Sequence, residues 1–334
     1  MNSDAAEIQG VPEDLVHFIK SGSKFIVVGH KEPDGDCVGS QLALCSALVR
    51  LGKEAVACSS GPFKRPELRD YSGRFVAVPA EEEKSGARLI IVDCSGGDRI
   101  GSIDELLKGL PAAVIDHHAA RSSSSSVPDI PVYVDPNSPS TTLLVLNVLN
   151  ALNLELTSEE ASLLLFGLCT DTGFFRHLNE KNAAAFEAAA KMVSAGASPK
   201  DIYRMLNAGE SLNSRILLGH ILSRTEPFFD GRLLLSCETL EDSGTFGIES
   251  RDSDKLNQLL LTVYGVEAVV IIRQEFADNC TVSLRSVDKI NVAHIAASFG
   301  GGGHRNAAGF SIKGVIPDIK QLILESFTKI FICK

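Results

Sequence analysis

His30, Asp34 and Asp36 fall in one short stretch, His30-Lys31-Glu32-Pro33-Asp34-Gly35-Asp36, and a second imidazole–carboxylate group stands at Asp116-His117-His118. Each follows an apolar run: Phe25-Ile26-Val27-Val28-Gly29 before the first, Ala112-Ala113-Val114-Ile115 before the second. Between them, Leu89-Ile90-Ile91-Val92 ends in Asp93. Open α/β sheets bind ligands just outside the carboxyl ends of their strands. Three strand ends would thus deliver acid and imidazole to one place, which predicts a metal-dependent active site. Pro33 and Gly35 favour a sharp turn, and crowded carboxylates are costly unless a cation is present or one is protonated. Asp171, in Thr170-Asp171-Thr172-Gly173, joins Asp34, Asp36 and Asp93 as a fourth aspartate. Four aspartates balance two divalent cations, which in known sites lie roughly 3.5–4 Å apart and hold an activated water against a phosphoryl group. Oxygen and imidazole donors suit Mn²⁺ or Mg²⁺ better than thiolate-seeking metals. Taken singly, each His or Asp reads as an ordinary hydrogen-bonded residue or helix cap. Their coincidence at four separated element ends weighs against that reading.

A second feature is Phe299-Gly300-Gly301-Gly302-Gly303-His304-Arg305. Glycines let backbone N–H groups approach an anion closely. The run lacks the Gly-Lys-Ser/Thr ending of a P-loop and does not match GxGxxG. Its glycines alone read as a flexible hairpin or linker, and His304 with Arg305 shifts the reading toward a phosphate-binding loop. Arg285, ending the strand-like segment 281–284, either points a guanidinium at the same phosphate or is an ordinary surface ion-pair residue.

The elements that must position these groups alternate. Residues 24–29, 54–58, 88–92, 112–115 and 131–134 read as strands, and 38–51 as a helix closed by Gly52. Strands alternating with helices imply a mostly parallel sheet flanked by helices. Segments 141–152, 158–169, 182–195 and 199–205 carry apolar residues at helical spacing. A further helix over 211–224 is expected to join two domains. Beyond it, 233–237, 268–273 and 281–285 read as strands, with helices over 255–264 and 292–299. The expected division is a domain over 1–206, a linker helix over 207–227, and a smaller α/β domain over 228–334. The serine run Ser122–Ser126 reads as a solvated mobile loop.

Composition sets limits. The 334 residues suffice for two cores. No apolar run approaches bilayer-spanning length, and the N-terminus has no signal-peptide pattern. The eight cysteines form no CxxC pair, which points to a reducing, cytoplasmic setting rather than a disulfide framework. Cys37 and Cys94, directly after Asp36 and Asp93, read as buried filler. A net charge of −10 argues against a partner as long as duplex or extended nucleic acid, whose binding needs a broad basic surface.

The ordered set Gly29-His30…Asp34-Gly35-Asp36, Val92-Asp93, Asp116-His117-His118, Thr170-Asp171-Thr172-Gly173 and Gly301-Gly302-Gly303-His304 resembles the DHH phosphoesterase superfamily over nearly the whole chain. The two-domain layout is similar to the nano-RNase group, which degrades very short oligoribonucleotides and often dephosphorylates 3′-phosphoadenosine 5′-phosphate (pAp). The resemblance implies a DHH domain, a DHH-associated domain carrying the GGGH loop, and an active site in the cleft between them. It implies that His30, Asp34 and Asp93 hold one divalent ion and that Asp36, Asp93, His117 and Asp171 hold a second, with Asp93 bridging. Mn²⁺ is the expected ion, with Mg²⁺ or Co²⁺ as alternatives. His118 would face the scissile phosphate, Asp116 would orient the histidines, and Arg285 and His304 with Gly301, Gly302 and Gly303 would bind substrate phosphate. Expected partners are short RNA, pAp or linear dinucleotides and a second copy of the chain, with no membrane. The sequence departs from the pattern at Lys31-Glu32, at Cys37, after His118, and at Ser140-Thr141-Thr142-Leu143, where the family often carries an acid. Two rival readings share the same core: a soluble pApA or cyclic-dinucleotide phosphodiesterase, and a manganese-dependent pyrophosphatase, which the GGGH loop disfavours. Length and charge disfavour a long-strand exonuclease. A non-catalytic nucleotide-binding protein would be expected to have lost a carboxylate.

Overall fold

A computed structural model describes residues 10–94, 99–118, 130–287 and 289–332. The chain divides into two compact units, Met1–Gly209 and Glu210–Lys334.

The first unit runs α1 (Glu13–Ser21), β1 (Lys24–Val28), α2 (Gly35–Arg50), β2 (Glu54–Cys58), a 3₁₀ segment (Pro66–Arg74), α3 (Glu81–Lys84), β3 (Arg88–Val92), α4 (Asp104–Leu107), β4 (Ala112–Asp116), β5 (Val132–Val134), α5 (Thr141–Ala151), α6 (Ser158–Asp171), α7 (Ala183–Ser194) and α8 (Pro199–Asn207). Its strands form one parallel sheet in the order β2-β1-β3-β4-β5. The chain leaves β1 to build β2 on one side and returns to build β3 on the other. This makes the carboxyl edge between β1 and β3 the topological switch point, where such sheets bind ligands. Phe25 and Val27 face a core shared with α2, α5 and α6. Ile26 and Val28 face the opposite core, with Ile100, Ile103 and Leu107. Burial on both faces explains why β1 reads as a continuous apolar run rather than an alternating one.

Two glycines let the helices behind the site approach. A Cβ at Gly39 of α2 would lie 2.5 Å from the Leu163 carbonyl oxygen of α6. At Gly167 of α6 it would lie 2.4 Å from Thr142 Cγ2 and 3.0 Å from Asp36 Cα. Helix α6 begins in a capping box: Glu160 N donates to Thr157 Oγ1 and Thr157 N to Glu160 Oε2. The same buried Glu160 carboxylate accepts from Ser46 and Arg50 of α2.

The second unit runs α9 (Leu212–Ser223), β6 (Glu226–Phe228), β7 (Leu233–Glu238), α10 (Leu240–Phe246), α11 (Ser253–Leu261), β8 (Ala268–Phe276), β9 (Asn279–Ser286), α12 (Val292–Ser298), β10 (Gly302–His304), β11 (Ala307–Lys313) and α13 (Ile316–Phe331). The sheet order is β10-β11-β9-β8-β7-β6, with β7 and β8 parallel and the other pairs antiparallel. One face packs on α12 and α13, the other on α9 and α11.

Several features differ from the sequence expectations. The glycine run opens an antiparallel hairpin, β10–β11, rather than a loop. Helices α1, α3, α4, α10 and α13 and strands β6 and β11 are additions to the expected set, although Ile319, Ile323 and Phe327 bury one stripe of α13 at a spacing of four. The helix expected as a linker is α9, which packs through Leu217 and Ile221 onto Leu234 and Val269 of its own unit. The serine run 122–126 lies outside the described residues. No helix among the described residues is long and apolar enough to cross a membrane.

Candidate metal centre

The groups singled out at the strand ends of the first unit converge. Asp34 caps α2, its Oδ1 accepting from Asp36 N and Cys37 N at 3.1 Å. A Cβ at Gly35 would fall 2.2 Å from Thr170 Oγ1, so glycine is needed for the turn to meet α6. Asp36, fully buried, faces the start of α5 and accepts from Thr141 N at 2.6 Å and Thr142 N at 2.9 Å. An anion at a helix N-terminus gains from unsatisfied N–H groups and the helix dipole. Asp93 leaves β3 with φ 60, a left-handed conformation that Asp tolerates better than most residues. Its Oδ1 accepts from Thr141 Oγ1 at 2.9 Å.

Two imidazoles point the same way for the same reason. His30 Nδ1 lies 2.8 Å from the Lys31 carbonyl and His117 Nδ1 lies 3.2 Å from the Ser138 carbonyl. A carbonyl only accepts, so Nδ1 carries a proton, and Nε2 is the nitrogen that offers a lone pair once the ring is neutral. His30 Nε2 faces Asp93 Oδ2 at 3.4 Å and Asp34 Oδ1 at 3.8 Å. His117 Nε2 faces Asp171 Oδ2 at 3.1 Å, Asp93 Oδ1 at 3.6 Å and Asp36 Oδ2 at 4.0 Å. Asp93 thus turns one oxygen toward each histidine. His118 is more exposed, and its Nδ1 is held 2.7 Å from Asp116 Oδ1.

Without a cation these groups stay together only by holding on to protons. Burial pushes the Asp36 carboxyl well up, and Asp93 and Asp171 beside it add to the effect. Burial likewise raises Asp93, only partly opposed by His30. For the imidazoles burial acts downward, but Asp171, Asp36 and Asp93 outweigh it at His117 and lift it to about 9. At His30 burial is outweighed by Asp34, Asp93 and Cys37, and the ring is held far above its usual range. Asp34 gains in return: burial raises it, but His30 and the Cys37 N–H bring it down to about 2. Burial pushes the Cys37 thiol up to about 12. Protons here stand where positive charge is needed.

These residues fit divalent cations. His117 Nε2 is buried without an aligned hydrogen-bond partner, an expensive state for a polar atom unless a ligand takes its lone pair. Three groups bring their ligand atoms within 4.8 Å of one another: His30, Cys37 and Asp93; Asp93, His117 and His118; and Asp36, His117 and Asp171. Asp34 belongs to none of these three, although it lies beside His30. Carbonyl-bound imidazoles are the usual outer support of metal-ligating histidines.

The structure adds groups that the sequence does not single out. Thr141, Thr142 and the Ser138 carbonyl hold the carboxylates and His117 in place. Their one signal is the Ser-Thr-Thr start of α5, which reads in the sequence only as a departure from a family pattern. Cys37 joins the His30 group.

In the second unit, Ala307 of β11 pairs with His304 on one side and Arg285 on the other. Residues directly opposite across a sheet share a face, so Arg285 and His304 lie on one face two strand spacings apart. A Cβ at Gly301 would lie 2.3 Å from the Gly309 carbonyl, and one at Gly303 2.4 Å from the Ala307 carbonyl. Those two glycines are required by close backbone packing, whereas Gly302 faces open space.

Residues 24–168 match the N-terminal domain of the DHH family, and residues 237–331 match the DHHA1 domain. The chain is 32% identical over 292 residues to the bifunctional oligoribonuclease and PAP phosphatase NrnA of Thermus thermophilus, covering 86% of this chain and 84% of that protein. The chain belongs to the DHH family, and it is a phosphoesterase of that family's two-domain, α/β form. It is also 24% identical over 319 residues to the cyclic-di-AMP phosphodiesterase PdeA of Listeria monocytogenes, covering 91% of this chain and 47% of that longer protein. Among solved structures, an exopolyphosphatase-related protein from Bacteroides fragilis superimposes with a TM-score of 0.75 at 23% identity, covering 96% of both chains.

Proposed function

We propose that this protein is a divalent-metal-dependent hydrolase of very short oligoribonucleotides, releasing nucleoside monophosphates, and that it also converts pAp to AMP. The observation that carries this reading is His117 Nε2, buried and facing carboxylate oxygens of Asp171, Asp93 and Asp36 at 3.1, 3.6 and 4.0 Å, none aligned as an ordinary hydrogen bond. The likeness to NrnA over most of both chains supports the substrate class. His30, Asp34 and Asp93 would hold one ion and Asp36, Asp93, His117 and Asp171 the other, with Mn²⁺ the best match to the oxygen and nitrogen donors. Bound ions supply positive charge to a phosphate and make water more acidic. The chain's own residues do the rest. The Lys31 and Ser138 carbonyls fix the tautomers of His30 and His117. Asp116 holds Nδ1 of His118, leaving Nε2 as the edge offered to a phosphate oxygen. Arg285 and His304, on one face of the second unit's sheet, are its phosphate-binding groups. Retention of all four aspartates disfavours a purely binding role.

A second reading, hydrolysis of pApA or a cyclic dinucleotide, is supported by the likeness to PdeA. A product time course on end-labelled RNAs from dinucleotide to decanucleotide with Mn²⁺, run beside pAp, pApA and cyclic di-AMP, tests both. Fastest turnover of the shortest RNAs and pAp is expected. Preference for the cyclic substrate would favour the second reading, and no turnover of any would refute both.

A further inference from the structure

We propose that Cys37 gives the His30 half of the centre a sulfur ligand, so that this half selects borderline-soft cations such as Zn²⁺ and Co²⁺ over Mg²⁺ and Mn²⁺. This rests on the cation-binding reading above and narrows it: the Asp36 half keeps the match to Mn²⁺, and the His30 half, with a sulfur donor, does not. Ligand atoms of His30, Cys37 and Asp93 lie within 4.8 Å of one another, whereas the Asp36, His117 and Asp171 group offers only oxygen and nitrogen. Thiolate favours Zn²⁺ over Mg²⁺ and Mn²⁺, while carboxylate and imidazole alone discriminate less.

The place of the sulfur is built rather than incidental. Cys37 sits in the first turn of α2, fully buried, directly after Asp36. A Cβ at Gly29, the residue leaving β1, would lie 2.1 Å from Cys37 Sγ and 3.0 Å from Gln41 Oε1. The backbone therefore lacks a side chain where the thiol stands. Gln41 Nε2 donates to the Val27 and Cys58 carbonyls, both at 2.9 Å. That commitment fixes the amide and presents Oε1 to the thiol at 3.5 Å. An ion that bonds sulfur well displaces the proton to solvent and takes the lone pair, as thiol ligation requires.

The test uses the metal-free full chain and Co²⁺ as probe. Visible ligand-field bands report cobalt bound anywhere in the centre, and a near-ultraviolet sulfur-to-cobalt charge-transfer band reports the thiolate. Both are expected in the unaltered protein. Cys37→Ser, which keeps a donor for Gln41, should retain the visible bands and lose the charge-transfer band. Its preference for Zn²⁺ over Mn²⁺, measured by calorimetry, should fall by about tenfold or more, the scale on which a single supporting group acts on metal affinity. If that variant fails to fold, X-ray absorption of the zinc-loaded unaltered protein decides: one sulfur at about 2.3 Å is expected. Visible bands without charge transfer, a zinc shell without sulfur, or a charge-transfer band persisting in Cys37→Ser would overturn the proposal and leave the metal centre standing. A chain that binds no Co²⁺ at all would overturn the metal centre as well, and this proposal with it.

Discussion

Stripping divalent cations from this protein should make its stability fall as pH rises through neutrality. His117 ordinarily titrates near 6.5 and is lifted to about 9 in the folded chain. A group whose folded pKa is raised contributes stability that is fully present below its unfolded value and is lost as pH rises through the folded one. The window therefore runs from pH 6.5 to about 9. At about 1.36 kcal/mol per pH unit, that span is about 3 kcal/mol. His30, Asp36 and Asp93 are all raised as well, so each acts in the same direction and none cancels the loss. Divalent cations reverse the logic, because they bind the deprotonated ligands and stabilise the folded state more as protons leave. Urea unfolding with a chelator at the two ends of the window, then with saturating Mg²⁺, measures both arms. The chelated protein should lose about 3 kcal/mol or more, and the loss should shrink or vanish with Mg²⁺. His117→Asn should make the chelated profile shallower. Stability that is level or rising with pH in the chelated protein would refute the claim that protons stand in for cations here.

Asp93→Asn keeps an acceptor for Thr141 and tolerates the left-handed backbone. It should fold normally, bind cations at least about tenfold more weakly by calorimetry and lose hydrolysis; unchanged cation affinity would sink the role given to Asp93. Gly39→Ala drives a Cβ to within 2.5 Å of the Leu163 carbonyl, and overpacking on this scale should cost about 1–3 kcal/mol in urea unfolding. Glu160→Ala removes both the cap of α6 and the partner of Arg50, a loss of about 2–3 kcal/mol that thermal unfolding should register without a change in cation affinity. Arg285→Ala should raise KM for short RNA more than it lowers kcat; equal effects on both would move Arg285 from binding into the reaction itself.

Much of the parallel sheet is legible in the amino-acid sequence alone. The strands over 54–58 and 88–92 have the expected bounds, each opening on one charged residue, Glu54 or Arg88, and β3, inside the sheet, continues as the unbroken apolar run of a strand covered on both faces. Helix α2 begins at Gly35 rather than at 38, because Asp34 is at once a cap and a member of the cluster, and its polar neighbours hide the first turn. The glycine run admits a hairpin reading in the sequence, but the strands of β10–β11 are not legible there because glycine is a poor strand former by propensity. Only the backbone approach of Gly301 and Gly303 to the facing strand shows why it is there.

The sequence by itself determined which chemistry was available: imidazoles and carboxylates stationed at strand ends, in an order that a parallel sheet turns into proximity. It could not determine how those groups are aimed. That was decided by tertiary contacts from residues with no chemistry of their own in view. The Ser138 carbonyl sets the tautomer of His117, the N–H groups of Thr141 and Thr142 steady Asp36 across the sheet edge, and the missing side chain of Gly29 admits a thiol beside His30. Hydrogen-bond direction and close approach depend on elements far apart along the chain, and only folding puts them side by side.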